Sequence, residues 1–302
     1  MYYLLLGFVR THPTSCPKDK DPSSRNSRQS TNMHLRPVTQ ADLPSFGEVT
    51  ATSIWNDEVM PYTAPHRDQY PDSLIRSCVE RTKMRYYRGE FLFLAVSDSS
   101  DPDWTGHEVI MGYAAYSTTV KTVEKPCPRG WLGNLFERKA LDWYLAYANV
   151  FGLDRSIDPV ALEHFRSVLN APNFAKYFES LPQRHKEVKQ DQHWELGLLG
   201  THPDYRRRGV GKMMLQWGFD RATSDGVPLV LIGTTSGEKL YLQCGFREVA
   251  RVDLTSLVAK GRGKARLEEL DMGLGRGKGL NWAAMVWEPP NVRSDEHNTI
   301  QV

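Results

Sequence analysis

A short basic turn with two glycines is the part of the sequence best suited to chemistry. It lies between an apolar run that stops at Pro203 and a segment of helical periodicity, and it reads Arg206-Arg207-Arg208-Gly209-Val210-Gly211-Lys212. The first turn of a helix presents free backbone N–H groups and the positive end of the helix dipole, and glycine lets an anion approach the backbone. The turn therefore predicts a binding site for phosphate groups.

Two motifs, in order along the chain, resemble those of the GNAT acyltransferase superfamily. Arg206-x-x-Gly209-x-Gly211 is similar to the family signature Arg/Gln-x-x-Gly-x-Gly/Ala. Leu240-Tyr241-Leu242-Gln243-Cys244-Gly245-Phe246 is similar to the family motif Leu-Tyr-x-x-x-Gly-Phe. The two motifs lie within residues 193 to 250, with a predicted helix and strand between them. The resemblance implies an N-acetyltransferase that uses acetyl-CoA as its co-substrate.

The resemblance also implies which residues hold acetyl-CoA. The turn from Arg206 to Lys212 would take the diphosphate through its backbone amides. The pantetheine arm would pair with the backbone of Leu199, Gly200 and Thr201, where the fourth and fifth strands splay apart. No metal ion is expected.

Acyl transfer to an amine needs a base for the amine and an acid for the departing thiolate. Tyr241 stands at the family's tyrosine position, and a phenol with an ordinary pKa of ~10 stays protonated and can donate. Its alternative role is that of a core tyrosine. Glu195 occupies a strand position where several family members have a glutamate base, and its alternative is a partly exposed strand carboxylate. His193, on the same strand face, and water are the other candidates for the base.

The composition is that of a globular protein with a large core. Of 302 residues, 40% are hydrophobic and 25% are charged. The net charge of +2 gives no electrostatic reason to expect a nucleic-acid partner. The four cysteines include no C-x-x-C pair, so they suggest no zinc site, and we expect a reducing, cytoplasmic setting. No apolar run approaches the ~20 residues of a membrane span, so we expect no membrane partner.

The pattern of the remaining chain predicts an α/β fold. We expect a GNAT-like mixed, mostly antiparallel twisted sheet, with splayed parallel strands at the cofactor site and a helical insertion. The predicted strands are residues 34–38, 91–96, 109–120, 193–201, 229–232, 246–254 and 282–287. Helical patterns are predicted between the first two strands, within the insertion and after the basic turn.

Composition divides the chain into three parts. Residues 1–32 are predicted to be a disordered tail, residues 33–290 a single GNAT domain, and residues 291–302 a polar tail. A helical insertion is expected at about 124–190, where Phe136, Ala140, Tyr144 and Ala148 lie on one side of a helix. This insertion is either a lid over the acceptor cleft or extra packing on the sheet.

Two glycine-rich segments resemble nucleotide-binding loops only superficially. Gly261-Arg262-Gly263-Lys264 and the repeated glycines from Gly273 to Gly279 neither follow an apolar strand nor open an apolar helix, the context that such loops require. A mobile hairpin connection is the better interpretation of both.

The predicted activity is transfer of an acetyl group from acetyl-CoA to a primary amine. Direct attack in a ternary complex is expected, because no activated cysteine or serine is evident. A small-molecule acceptor is favoured over a protein, although peptide α-amines and lysine remain open. The alternative is a catalytically silent acyl-CoA-binding protein with the same fold. The sequence does not specify the oligomeric state. It also does not show whether the donor carries an acetyl group or a longer acyl group.

Overall fold

A mixed β-sheet forms the frame of the protein. The computed structural model describes residues 33–101, 104, 106–170, 173–180, 192–254 and 280–290. Within them, the sheet has seven strands in the order β1-β2-β3-β4-β5-β7-β6. The strands are β1 (Met33–Pro37), β2 (Phe91–Ser97), β3 (Ile110–Thr118), β4 (Trp194–Thr201), β5 (Leu229–Gly233), β6 (Arg247–Asp253) and β7 (Asn281–Trp287).

The directions of the strands confirm the predicted fold class. All neighbouring strands of the described sheet are antiparallel except β4 and β5, which are parallel. Residues Leu92 to Ser97 of β2 are all buried, because helices cover both faces of the central strands. The sheet is thus mixed, and its parallel pair lies at its centre.

Helices cover the sheet on both faces. They are α1 (Leu43–Ile54), α2 (Met60–Thr63), α3 (Pro71–Tyr87), α4 (Gly130–Val150), α5 (Pro159–Leu169), α6 (Ala175–Ser180), α7 (Val210–Asp225) and α8 (Thr235–Gln243). Several ends have the expected local signals. The Asp158 carboxylate accepts hydrogen bonds from the first amides of α5, and Gly226, in the left-handed conformation with φ 60°, ends α7.

Alternation along the strands separates two cores. On one face, Trp194 and Leu229 pack with Met214 and Leu215 of α7. On the other face, Leu94 and Tyr113 pack with Phe46 of α1, whose ring lies 5.2 Å from that of Tyr113. Because successive strand residues point to opposite faces, each strand contributes to both cores.

The three helices between β3 and β4 pack on different parts of the molecule. Leu141 of α4 packs against Met84 and Tyr87 of α3. Phe165 of α5 meets the Trp282 ring of β7 edge-on at 5.4 Å. Tyr177 of α6 packs on β5 and β7. The segment therefore extends from α3 to strands β5 and β7.

The predicted helix is present as α4, and the side that carries the predicted residues is mostly exposed. Phe136 is 74% exposed, Tyr144 is 38% exposed and Ala140 is also exposed, whereas Ala148 is buried. Leu141 lies on the side that is actually buried. The helix has apolar residues around much of its circumference, so its periodicity alone could not show which side meets α3.

Some predictions fall outside the described residues. These are the two tails, residues 1–32 and 291–302, and the two glycine-rich segments at 261–264 and 273–279. Among the described helices, none has the length and apolar character needed to cross a membrane.

Candidate active site

The basic turn leads from β4 into α7 through two residues in the left-handed backbone region. Arg207 has φ 68° and Gly209 has φ 87°, immediately before α7 begins at Val210. A Cβ is strained in this region, so the position of Gly209 favours glycine. The N–H groups of Val210, Gly211 and Lys212 open the helix and have no intrahelical acceptor. Such a turn followed by a helix N-terminus is suited to bind an anion.

Cationic side chains surround these amides. Arg206, Arg207 and Lys212 are exposed, and no described carboxylate forms an ion pair with them. The Arg208 guanidinium lies over the Tyr205 ring, 5.2 Å from its centroid. The predicted anion-binding residues therefore form one continuous basic surface.

Next to the turn, β4 and β5 separate. They pair only where Trp194 to Leu196 meet Leu229 to Leu231, although β4 continues to Thr201. An extra residue, Gly197, forms a bulge in β4 where the strands part. Leu199 to Thr201 remain paired with β3 on the other side. On the side toward β5, the backbone N–H and C=O groups of these residues are therefore not paired with any described strand.

Close packing connects the turn to α8. A Cβ on Gly211 would lie 3.0 Å from Cδ2 of Leu240 and 4.0 Å from Oγ1 of Thr201. Leu240 precedes Tyr241, the predicted acid. The anion-binding turn, the open edge of β4 and the tyrosine helix thus meet at Gly211.

Tyr241 is buried beside the end of β5. It is 8% exposed, and a Cβ on Gly233 or Gly237 would come within 3 Å of its ring. Burial raises the pKa of the Tyr241 phenol above its ordinary value. Its hydroxyl has no hydrogen-bond partner among the described residues. The phenol therefore remains protonated at neutral pH, as a proton donor must.

Glu195 lies on the opposite face of the sheet. It alternates with Trp194 and Leu196, which belong to the same core as Tyr241, so its side chain points the other way. It is exposed, and its Oε2 accepts a hydrogen bond from Ser117 Oγ at 3.2 Å. Glu195 and Tyr241 therefore lie on opposite faces of the sheet, and Glu195 belongs to the part of β4 that is still paired with β5.

His193 is bound to its neighbours at the start of β4. Its Nδ1 lies 3.3 Å from Thr119 Oγ1, and its ring lies 5.2 Å from the Phe178 ring of α6. Arg85 covers the same face further along, where a Cβ on Gly197 would lie 3.0 Å from its Nη1. Arg85 is itself paired with Glu90 at 2.6 Å. The face that carries Glu195 is thus bordered by α3 and α6.

Two further carboxylates, Asp57 and Glu58, lie on the connection between α1 and α2. The sequence analysis did not single them out. Glu58 accepts a hydrogen bond from the Thr235 backbone N–H at 3.1 Å and another from the Trp282 indole. Thr235 opens α8 directly after β5, so this connection reaches the end of β5. Burial raises the pKa of the neighbouring Asp57 to about 6, and the Glu58 charge adds to the effect. Because the bond partners are far apart in sequence, no local pattern could have revealed them.

A family comparison matches this region. The model of the Acetyltransferase (GNAT) domain matches residues 181–248, which include β4, the basic turn, α7, β5 and α8. This match supports the resemblance of residues 181–248 to a GNAT acetyltransferase domain, and both motifs that suggested the resemblance lie within the matched residues.

The chain is also similar to individual GNAT-related proteins. An acetyltransferase of Stachybotrys chartarum is 24% identical over 219 residues, covering 72% of this chain and 82% of that protein. The crystal structure of histone acetyltransferase HPA2 and related acetyltransferase from Corynebacterium glutamicum is 19% identical in sequence. The match covers 85% of this chain and 97% of that chain, with a TM-score of 0.48. Arylalkylamine N-acetyltransferase 2 from Aedes aegypti is 10% identical in sequence. The match covers 85% of this chain and 99% of that chain, with a TM-score of 0.45.

Metal ligands are not clustered in the part of the chain that the structure describes. No group of three or more histidine, cysteine, aspartate or glutamate side chains is placed to hold a metal ion there. The candidate site consists instead of backbone amides, cations, two candidate carboxylates and a buried phenol.

Proposed function

We propose that the protein transfers an acetyl group from acetyl-CoA to a primary amine by direct attack in a ternary complex. The observation that carries this proposal is the opening between β4 and β5, which lies between a basic helix N-terminus and a buried, protonated Tyr241. This arrangement provides an anion site, an unpaired strand edge and a proton donor around one gap.

The chain's residues fit acetyl-CoA as the donor. The amides from Gly209 to Lys212, with Arg206 to Arg208, would hold the diphosphate. The edge of Leu199, Gly200 and Thr201 would hydrogen-bond to the amides of the pantetheine arm as a missing strand would. A Cβ on Gly200 would lie 2.2 Å from the Tyr113 ring. Packing therefore also requires glycine at position 200.

The proposed reaction balances without a covalent enzyme intermediate. The free amine attacks the thioester carbonyl carbon, the carbon–sulfur bond breaks, and an amide and a thiol form. The amine loses one proton to a base, and the thiolate gains one from Tyr241. The hydroxyl of Tyr241 has no competing acceptor in the described chain, which favours its donation to sulfur.

Glu195 is the proposed base. Its carboxylate is exposed, is oriented by Ser117 and lies two residues before the bulge at which β4 and β5 separate. Asp57 is the second candidate, because a pKa of about 6 suits proton removal at neutral pH. Each carboxylate can be replaced without changing a residue of the basic turn, so the two candidates can be tested one at a time.

The acceptor is proposed to be a small molecule with a primary amine. The face around Glu195 is bordered by Phe178 of α6 and by Arg85 of α3, side chains that would contact an acceptor. We further propose that residues 33–290 form the catalytic domain, with 124–190 as its insertion. Cytoplasmic location stays a prediction from the sequence.

The decisive experiment measures thiol release from acetyl-CoA with a panel of small primary amines, α-amino peptides and lysine peptides. Turnover with an amine and formation of the acetylated amine, seen by mass spectrometry, would support the proposal. Micromolar binding of acetyl-CoA by calorimetry without turnover on any amine would instead identify a silent acyl-CoA-binding protein. Absence of binding would refute the assignment of the site itself.

A further inference from the structure

The outer side of α4 is a large apolar surface that no described residue covers. Of the large apolar residues exposed in the described chain, all but Tyr70 and Leu242 lie between residues 131 and 160. The side chains that form this surface, called the α4 outer stripe below, are Trp131 (74% exposed), Leu132 (70%), Phe136 (74%), Trp143 (78%), Tyr147 (54%), Val150 (79%) and Phe151 (64%). This concentration on one helix requires an explanation, because scattered exposed apolar residues are ordinary but a contiguous group is not.

The stripe follows one side of the helix along most of its length. Leu132, Phe136, Trp143, Tyr147 and Val150 are separated by four, seven, four and three residues, the spacing that keeps side chains on one helix face. The opposite side, with Leu141 and Ala148, is buried toward α3. Helix α4 therefore has two apolar sides, of which the described fold uses one.

The size of the stripe is comparable with a stable protein interface. At these exposures its aromatic and aliphatic side chains present on the order of 1,000 Å² of surface. The largest apolar patch of a typical monomer is about 300–600 Å², whereas a standard interface buries about 800 Å² per partner. The stripe is thus larger than a monomer usually leaves exposed and sufficient for one side of a dimer.

We infer that the α4 outer stripe packs antiparallel against the same stripe of a second copy of this chain. A two-fold axis between Ala140 and Leu141, near the middle of α4, would bring the two helices together along their length. The contact would be isologous, so one helix surface supplies both halves of the interface.

Charge complementarity supports this axis. Lys139 and Asp142 are exposed, lie on either side of the axis on the same flank of the stripe, and form no ion pair with a described residue. The axis places Lys139 opposite Asp142 of the partner subunit, and Asp142 opposite Lys139 of the partner subunit. Two symmetric ion pairs would then fix the register of the helices.

The same charges favour a second copy over a lipid surface. Helix α4 carries Glu137, Arg138, Lys139 and Asp142, so its acidic and basic residues balance. Helices that lie on membranes are typically rich in Lys and Arg beside the apolar face, which attract anionic lipid. On a membrane the Asp142 carboxylate would lie at the apolar boundary without a partner, whereas in the dimer it has one.

The first test measures the mass of the full chain by sedimentation equilibrium. We expect twice the chain mass of 34.4 kDa for the wild-type protein, and a single chain mass for the variant Phe136→Glu/Trp143→Glu. Both residues are largely exposed, so the variant should keep the wild-type melting temperature. Leu242→Glu, which adds one carboxylate at a 51% exposed leucine on α8, is the control and should remain a dimer.

The second test exchanges the charges at the axis. Lys139→Asp and Asp142→Lys should each weaken the dimer at least tenfold, because each places like charges opposite one another twice. The double variant Lys139→Asp/Asp142→Lys should recover the wild-type dissociation constant. A mixture of the two single variants should form heterodimers, since the unlike copies are complementary.

Three results would overturn the inference. The first is a wild-type protein that stays a single chain up to ~100 µM, a concentration at which any dimer tighter than about −5.5 kcal/mol would form. The second is a dimer that persists in Phe136→Glu/Trp143→Glu, which would place the interface elsewhere. The third is a monomer that binds vesicles of phosphatidylcholine and phosphatidylserine through the stripe, which would identify a lipid surface as its partner.

Discussion

At the scale of single residues, Tyr241 differs from another tyrosine of the same core in how its hydroxyl is bonded. Tyr116 belongs to the same core, yet its hydroxyl donates to the Met214 carbonyl at 2.9 Å, whereas the Tyr241 hydroxyl has no described partner. We propose that the bound substrates supply the hydrogen-bond partner of the Tyr241 hydroxyl.

The pair of tyrosines gives a matched test of this role. Tyr241→Phe should keep the fold and the acetyl-CoA affinity but lower kcat roughly 10²-fold, because only the proton donor is lost. Tyr116→Phe should lower stability by about 1 kcal/mol and leave kcat nearly unchanged, because only a structural hydrogen bond is lost. Stopped-flow or steady-state thiol release, with melting temperatures for both variants, checks the two expectations. A fully active Tyr241→Phe enzyme would remove the acid from the mechanism.

The two carboxylates make different predictions for the pH profile. If Glu195 is the base, Glu195→Gln should lower kcat/KM roughly 10²-fold where the acceptor amine is protonated, and the loss should shrink at high pH. Asp57→Asn should then retain most activity. If instead Asp57→Asn abolishes a rise in kcat/KM centred near its pKa of about 6, the base is Asp57. Profiles of kcat/KM from pH 5 to 10 separate these outcomes.

The direction in which Asp57→Asn changes the stability of the protein can be predicted. Burial raises the pKa of Asp57 from an ordinary 3.8 to about 6 in the folded protein. Between these values the unfolded chain loses the proton first, so the free energy of unfolding decreases as pH rises through the window and stays lower above it. Asp57→Asn removes this ionisation. It should therefore melt higher than the wild type at pH 7 and at the same temperature near pH 3, as thermal unfolding can show.

The sequence could identify Tyr241 but not Asp57. Tyr241 is part of a local motif with Leu240, Gly245 and Phe246, which fixes its place on a short helix. The pKa of Asp57 depends on burial under elements that come from distant parts of the chain. No spacing of residues around Asp57 carries that information.

At the scale of elements, the turn into α7 shows which glycine is needed for its backbone and which for its packing. A Cβ on Gly209 would meet only Met33 Cε at 3.9 Å, so space is available there, but its φ of 87° strains any other residue. Gly211 has no such φ, and its constraint is the 3.0 Å approach to Leu240. The motif predicted both positions, but only the structure distinguishes their reasons.

This distinction gives a prediction with an internal control. Gly209→Ala should disturb the amides at the helix N-terminus and weaken acetyl-CoA binding at least tenfold, about 1.4 kcal/mol. Gly226→Ala meets the same kind of strain at the C-terminal end of α7, where φ is 60°, and should lower stability without changing the affinity. Calorimetric titration of both folded variants measures the difference. Equal affinities would contradict the assignment of the turn.

Of the helices between β3 and β4, α6 is placed as a lid would be and α4 is not. Phe178 of α6 lies 5.2 Å from the His193 ring, at the border of the face that carries Glu195. Tyr144 of α4 lies instead beside α3, where it lines a cleft with Arg81 and Asp154. Helical periodicity predicted these helices, but it could not show that α6 lies beside His193 while α4 packs on α3.

The lid hypothesis is therefore tested on two aromatic residues. Phe178→Ala should raise the acceptor KM several-fold while the affinity for acetyl-CoA stays constant, because Phe178 borders the face of Glu195 and does not contact the basic turn. Tyr144→Ala should leave both values unchanged. Initial rates over a grid of amine and acetyl-CoA concentrations separate the two effects. If Phe178→Ala only lowers the melting temperature, α6 is packing on the sheet rather than part of a lid.

At the scale of the whole molecule, the sheet explains how distant residues reach one gap. Glu195 and Tyr241 lie on opposite faces of the sheet, and β4 and β5 separate directly after Leu196, one residue beyond Glu195. The sequence predicted the strands from their apolar runs and the parallel pair from the motifs. It could not show that Glu58 would cross to Thr235, because that contact depends on how the completed sheet places α1 and α2.

The whole molecule also separates the proposed site from the proposed dimer. Every candidate for acid, base and anion binding belongs to one chain, and the α4 outer stripe contributes none of them. The dimer-disrupting variant Phe136→Glu/Trp143→Glu should therefore keep kcat and both KM values within about twofold of the wild type. Activity per chain should likewise stay constant on dilution through the dissociation constant. A loss of activity that follows the monomer fraction would show that the second copy shapes the acceptor side, and α4 would then belong to the catalytic account.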